Sequence, residues 1–494
     1  MSGEIFWKVL GLTFLVSAAS HADELDGLIT LAYSNSPTLQ AAREGTRQAE
    51  AAHDATAEFF DPHTTATAGR MSGNNTPPIL PAPLGLPEAD TYGASAAVEV
   101  PFRPGVYAGV GVAEQYQANP ANGLNSGYRT VVGAQIRIPL LQDRGFSLWK
   151  QNQSRMKELQ VAAEAHQMEA RQAVRHAVEQ AYFAYLVEIA NAATSWSATD
   201  RSEQLLKEAE ELVRLKVVPE YQLAPARLEL ALRREEFCTA NQAIDTARLR
   251  LVQVIGTTPI TQLTTNYAAL TDQAAGLELS ETLASIPSFT TRGAMREIDA
   301  LAEAAAAESR SLDDQLRPDL GLSLSSTWAT ENVTSPTSDA GLTGGEESST
   351  AAVLVWTRPW SQTGAHARLR ESQAREAQLA EFRRELQNQL TADLSAAHRE
   401  FSGARERFKQ ITIAVEQARK TLDAEAERFR LGEGRSRNVL DAQNDLTKAY
   451  RSRNAIVASL LHGYSDFMFA AGYQIDQVQA TEVPTPGGKH HGHQ

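Results

Sequence analysis

The chain has one cysteine in 494 residues, Cys238. A single thiol excludes an internal disulfide and any cysteine-rich metal site. Its place beside a heptad position predicts a buried, inert thiol. Aromatic residues are scarce, 7% against a hydrophobic content of 42%, because alanine supplies much of the apolar character. Alanine with abundant charge favours long helices over a compact globule. Basic residues are the minority, 46 against 60 acidic, for a formal net charge of −14. That balance leaves no basic patch to neutralise phosphates and argues against a nucleic-acid partner. Long apolar runs are missing too. Beyond the first 22 residues no stretch offers the roughly 20 apolar residues of a transmembrane helix, so residence in a membrane would require a β-barrel. There is no Gly-rich phosphate loop, no HExxH and no nucleophile motif. His53, His166, His176 and His398 lack metal-ligand spacing. The chain is therefore expected not to be an enzyme and to need no cofactor.

What is present begins with an apolar run, Val9 to Ala19, too short to span a bilayer. Ser20-His21-Ala22 follows, with small residues where a signal peptidase reads, so residues 1–22 are expected to be a secretory signal. No cysteine stands at the cleavage point, so no lipid anchor is expected there.

The strongest internal signal is a repeat. Arg214–Gly256 and Arg430–Gly472 align without a gap at an offset of 216 residues: Arg214 with Arg430, Leu223 with Val439, Ala226 with Ala442, Leu230 with Leu446, Gly256 with Gly472. In the first copy Leu223, Leu230, Phe237, Ile244 and Leu251 recur every seven residues. Ala226, Ala240, Ala247 and Val254 fill the other core position, with Arg233 the exception. This is a coiled-coil seam whose small residues allow close helix approach. A second seam, Leu394 to Phe429, steps alternately by three and four until Leu431-Gly432-Glu433-Gly434 interrupts it. In the first half Val178, Tyr182, Tyr185, Ile189, Ala193 and Trp196 descend to a turn at Val217-Val218-Pro219. Each half thus predicts a long helix, a tip and a returning helix.

Between Pro62 and Gly145 the period falls to two. Tyr128, Thr130, Val132, Ala134, Ile136 and Ile138 oppose Arg129, Gly133, Gln135 and Arg137; Val106–Val112 and Tyr92–Val100 alternate likewise. After Arg317-Pro318, Leu320, Leu322, Leu324 and Trp328 alternate with Gly321, Ser323, Ser325 and Thr327. A half-buried soluble sheet gives this pattern, and so does a membrane barrel with an apolar exterior. Tyr92, Tyr107, Tyr128, Trp328, Trp356 and Trp360 near strand ends suit an aromatic belt. The loops at about 74–86 and 118–127 are long, the turn Phe102–Gly105 short. Expected strands are about 62–72, 91–101, 105–117, 128–140, 319–329 and 350–358. Six strands are too few to enclose a lumen, since barrels begin at about eight, so more than one chain is expected to share a barrel, with eighteen strands if the chains are three.

The domain reading is: signal 1–22; repeat one 23–256, with strands about 62–140, a long helix about 144–215, a tip at 216–220 and a return helix 221–256; a connector 257–287; repeat two 288–472, with strands about 319–358, a long helix about 362–430, a tip at 431–435 and a return helix 436–472; and a tail 473–494. The tail holds His490, His491 and His493, a weak metal-binding candidate. A solvated tail accounts for them better, because no carboxylate or cysteine accompanies them in fixed geometry.

Leu31-Ala32-Tyr33-Ser34-Asn35-Ser36-Pro37, Leu316-Arg317-Pro318-Asp319-Leu320, Arg428-Phe429-Arg430-Leu431-Gly432-Glu433-Gly434 and Val439-Leu440-Asp441-Ala442-Gln443 resemble the TolC-like outer-membrane efflux proteins. The likeness covers essentially the whole chain after the signal. It implies a mixed fold, a membrane β-barrel joined to a long α-helical coiled-coil barrel, built from a tandem repeat in a homotrimer. It implies a conduit in the outer membrane of a Gram-negative bacterium, reaching into the periplasm. Substrates leave through it once a periplasmic adaptor and an inner-membrane pump have docked, as in tripartite efflux or type I secretion. The family's inward carboxylate ring falls on Asn438 and Asp441; only Asp441 keeps the acid. Glu433 is a second acidic candidate and Arg435 a candidate partner, while the family's turn arginine falls on Gly434. The adaptor-docking tips would be Val217, Val218, Pro219, Glu220, Leu431, Gly432 and Gly434. The competing function is a periplasmic coiled-coil scaffold with a soluble β-domain, which leaves the paired strand excursions unexplained.

Overall fold

The computed structural model describes residues 19–73, 89–103, 105–118, 127–217, 219–256, 271, 274–277, 289, 292–332, 347–431 and 433–472. Most of the signal, Val218, Gly432, most of the connector and the tail with His490, His491 and His493 lie outside the described residues. The helices are α1 (Ala19–Asn35), α2 (Pro37–Asp54), α3 (Ser147–Arg214), α4 (Leu223–Ile255), α5 (Gly293–Gln315), α6 (Thr363–Arg430) and α7 (Ser436–Ala470), with a 3-10 turn at Ala55–Phe60. α3 and α6 run 68 residues each. The strands are β1 (His63–Gly73), β2 (Ala89–Phe102), β3 (Val106–Ala118), β4 (Gly127–Pro139), β5 (Asp319–Asn332) and β6 (Glu347–Thr357). They fall within a few residues of the six that alternation predicts.

The chain divides into two compact units. The first comprises Met1–Thr46, Ala163–Glu297 and Phe382–Gln494. Its main core joins Leu28, Ile29 and Ala32 of α1, Val178, Tyr182 and Leu186 of α3, Leu251 and Ile255 of α4 and Val457 and Leu461 of α7. The heptad pattern accounts for this: Leu223, Leu230 and Leu251 are buried along α4, as are Leu394, Phe401, Val415, Leu422 and Phe429 along α6. Two details depart from expectation. Trp196 is exposed and Ala193 is too, while Ala192, Ser195, Ala198 and Thr199 are buried. The packed face runs through Leu186, Ala190, Ser195 and Thr199, where the Thr199 hydroxyl donates to the Arg233 carbonyl of α4 at 3.1 Å. Trp196 instead meets Phe237 at 5.4 Å between ring centroids. Cys238 is exposed rather than buried, because Phe237 takes the half-buried position and the next residue turns outward.

Arg233, the seam's exception, is buried and holds Glu229 at 2.8 Å and Glu236 at 2.7 Å. It also donates to Asn444 of α7, and Arg451 binds Glu236 at 2.8 Å. The charge is tolerated because it is matched.

The second unit comprises Arg47–Ala162 and Ile298–Glu381. All six strands form one antiparallel sheet in sequence order, β1 to β6. The register places Val100, Ala108, Ile136, Leu324 and Ala352 in one row across five strands. The neighbouring row, on the other face, is His63, Glu99, Gly109, Gln135, Ser325 and Ala351. One face is therefore apolar and the other polar or bare. The apolar face is solvent-exposed in the single chain, with Val110, Leu354 and Trp356 each at 62%. β1 and β6 each have one paired edge and one open edge. Tyr92, Tyr116 and Tyr128 pair across three strands as a tyrosine row on the apolar face. Tyr107 departs from the expected belt. It lies on the polar face, where the Arg137 guanidinium sits 4.1 Å from its ring centre, because the two-residue period of β3 sets odd positions against even ones.

Asp314, buried at the end of α5, ties down the start of α3. Its carboxylate accepts the Asp143 N–H at 2.9 Å and the Ser147 hydroxyl at 2.5 Å. Asp143 in turn accepts the Leu148 N–H at 2.9 Å, and burial pushes its own carboxyl above the ordinary range. Among the described residues no helix is long and apolar enough to cross a membrane.

Candidate functional site: the paired helical tips

Both tips belong to the first unit, and their cores merge. Leu205 and Ala209 of α3, Leu223 of α4, Leu422 and Phe429 of α6 and Val439 and Leu446 of α7 form one apolar cluster. The repeat therefore closes on itself at its two turns. Arg430 reaches Glu208 at 3.0 Å, an ion pair between the halves.

The turns share a hydrogen-bond plan. The Val217 N–H donates to the Leu212 carbonyl at 2.9 Å, and the Lys216 N–H to Val213 at 2.9 Å. This is the six-to-one closure with a left-handed residue just past the helix. Lys216 takes that conformation, at φ +60°. The second turn repeats the bond at the same offset, Glu433 N–H to Arg428 carbonyl at 3.0 Å. There the residue aligned with Lys216 is Gly432. Gly434 also donates to the Arg428 carbonyl, and a Cβ on it would lie 3.0 Å from the Phe429 nitrogen. The chain passes so close to its own last turn that a larger residue would push it away.

The expected docking residues Val217, Pro219, Glu220 and Leu431 are all solvent-exposed. Two more apolar groups share the surface, Leu215 at 58% and Tyr221 at 75% exposure. Neither was predicted. Leu215 was findable, because the repeat aligns it with Leu431; Tyr221 aligns with Arg437 and carries no such signal.

The gate candidates stand on α7 and its turn. Asn438 and Asp441 lie three residues apart, both exposed, as are Glu433 and Arg435. The Asp441 carboxylate lies 4.0 Å from the Arg437 guanidinium one turn earlier. Asp445 continues the face and lies 4.0 Å from Lys448. Asn438, Asp441 and Asp445 thus form a polar stripe free of apolar packing, and a neighbouring charge could reach it without disturbing the core. No group of three or more metal-ligating side chains occurs among the described residues.

No family profile matches the sequence, and no curated protein matches it. Solved structures do resemble it. The outer-membrane channel OprN superposes with a TM-score of 0.64 at 16% identity, over 91% of this chain and 89% of its own. CusC, described for its folding and transmembrane channel formation, gives 0.66 at 15% identity, over 91% and 92%. The outer-membrane protein VceC of Vibrio cholerae gives 0.65 at 16% identity, over 91% and 96%. At such low identity the shared property is the fold, and it extends along nearly the whole of each chain.

Proposed function

We propose that the chain is a TolC-like outer-membrane factor: a passive export conduit that acts as the outer component of a tripartite efflux or type I secretion system. The observation that carries the reading is the six-stranded sheet, apolar on one face, polar on the other and open at both edges. An open edge leaves a row of unpaired N–H and C=O groups, which hydrocarbon does not tolerate, so a sheet in a bilayer must close. Three copies joined β1 to β6 make an eighteen-stranded barrel, against the twelve strands usual in the family. Strands of 11 to 14 residues are long enough for a tilted crossing, which needs about 9–11.

The helices support the same assembly. Leu228, Leu232 and Leu249 of α4 and Ile413 of α6 are exposed in the single chain, and a second copy of the chain would cover them. A conduit needs no catalyst, only a lumen, and the sheet's polar face suits one. The tips then present Leu215, Val217, Tyr221 and Leu431 to a periplasmic adaptor, with an inner-membrane pump beyond. Three copies of Asp441 brought together would repel one another and draw cations to a constriction. Changing Asp441 to alanine is expected to alter single-channel conductance and cation preference, and unchanged values would remove it from the gate.

The decisive experiment joins the sheet edges. With Cys238 replaced by serine, cysteines are placed at Thr65, Thr67 or Gly69 on β1 and at Ala351 on β6. Oxidation in isolated membranes should yield a covalent trimer from at least one pairing. A detergent-stable trimer that no pairing cross-links would refute the eighteen-strand closure. A protein released from membranes by high salt as a monomer would refute the channel and favour the scaffold.

A further inference from the structure

The polar face of the sheet is hollowed near one end into a recess of about 1180 Å³, bounded by β2, β3 and β4, the 3-10 turn Ala55–Phe60 and the first turn of α3. Its volume arises from the sequence: Gly109, Gly111 and Gly133 sit side by side on β3 and β4 and put no side chain into the middle. Among the described residues three groups on its wall are carboxylates, Glu58, Glu99 and Asp143, and no lysine or arginine lines it. The base is aromatic. Phe59 and Trp149 lie nearly parallel with centroids 6.1 Å apart, and Tyr107 stands edge-on to Phe59 at 6.4 Å. The Trp149 ring is fixed by its N–H, which donates to the Thr56 carbonyl at 2.9 Å.

Arg137 shows what these rings attract. Its guanidinium lies 4.1 Å from the Tyr107 ring centre rather than in the open space. That guanidinium is thus engaged by the ring and acts on Asp143, and Glu58 and Glu99 are left on the wall of the free space. Among the described residues Glu99 accepts one weak bond, from the Gln135 amide at 3.4 Å. A hollow with aromatic walls and an excess of carboxylate favours a positive guest over a neutral or negative one of the same shape.

We propose that this recess binds organic cations that carry an aromatic or alkyl body, such as arylalkylammonium ions. The aromatic body rests against Phe59 and Trp149, and the ammonium group faces Glu99 and Glu58. In the channel proposed above the recess opens on the export path, but binding requires only the folded sheet and is measurable whether or not the channel conducts.

The test uses benzyltrimethylammonium, with benzenesulfonate as an anion of similar size, titrated calorimetrically into the detergent-solubilised full chain. The cation should bind and the sulfonate should not. Glu99→Gln, nearly isosteric, should weaken the cation about five- to tenfold, and Phe59→Leu should do likewise. Leu354→Ala, on the opposite face of β6 and outside the recess, should leave the affinity unchanged. Equal binding of the two probes, or wild-type affinity in Glu99→Gln, would overturn the proposal. Should Phe59→Leu fail to fold, Glu99→Gln decides alone. Loss of conductance with cation binding intact would count against the channel and not against the recess.

Discussion

Acid should loosen the first unit, and two histidines set the window. His176 of α3 lies against α7, with Asp466 at 3.2 Å from one ring nitrogen and the Ser465 hydroxyl at 3.1 Å from the other. Its ring stacks on Phe469, 4.5 Å between centroids and 4° from parallel. One turn away His462 contacts Gln180, whose amide donates to Asp466 at 2.8 Å. Burial lowers the pKa of both imidazoles from the ordinary 6.5. For His176, Glu179 works against the lowering and Arg292 adds to it. For His462, Asp466 and Glu400 oppose it while His176 adds to it. Asp466 alone would favour a charged His176, yet its own pKa is raised, again chiefly by burial; desolvation outweighs the pairing at this site. The sign follows. A histidine with a depressed folded pKa contributes stability that is present above 6.5 and lost as the pH falls towards the folded value, because the unfolded chain takes up the proton first. Each contributes at most about 1.4 kcal/mol per pH unit, about 2.7 kcal/mol for the two together. Asp466 acts in the opposite sense, in a window that starts at its ordinary 3.8. Thermal melting of the detergent-solubilised protein, followed by helical circular dichroism between pH 8 and pH 5, should show a midpoint that falls below about pH 6.5. The His176→Gln, His462→Gln double variant should lose most of that slope. An identical slope in wild type and variant would refute the argument.

Three further outcomes are expected. A Cβ on Gly293 would lie 2.5 Å from both the Ala165 carbonyl oxygen and the Glu169 nitrogen, so Gly293→Ala should force α5 off α3 and cost about 1–3 kcal/mol in thermal unfolding; an unchanged midpoint would be inconsistent with that contact. Arg233→Ala strips Glu229 of its bridge and should cost about 3 kcal/mol, whereas the Arg233→Met, Glu229→Leu double variant, which removes both charges, should fall within about 1 kcal/mol of wild type by the same measurement. Lys216→Gly relieves a left-handed lysine and should stabilise the first tip by about 1 kcal/mol, read as slower hydrogen exchange at the Val217 amide.

The sequence by itself determined the repeat, the seams and the strands. These are local periodicities, and Leu223 to Leu251 or Tyr128 to Ile138 point to one face wherever the rest of the chain lies. The repeat offset even carries the bond from Val217 to Leu212 over to Glu433 and Arg428. Only the tertiary structure decided the rest. It showed that β4 of one half pairs with β5 of the other, leaving β1 and β6 as the open edges, because strand neighbours are chosen across long loops that carry no period. It turned Cys238 and Trp196 outward and set Asn444 and Arg451 of α7 beside Arg233 and Glu236, since these depend on which helix lies alongside, whereas Glu229 and Glu236 stand one turn either side of Arg233 on its own helix. It placed Tyr107 beneath Arg137 and brought Leu215 and Tyr221 to the tip surface. A pattern of residue types says which face a side chain is on; what it meets there is fixed only when distant segments pack.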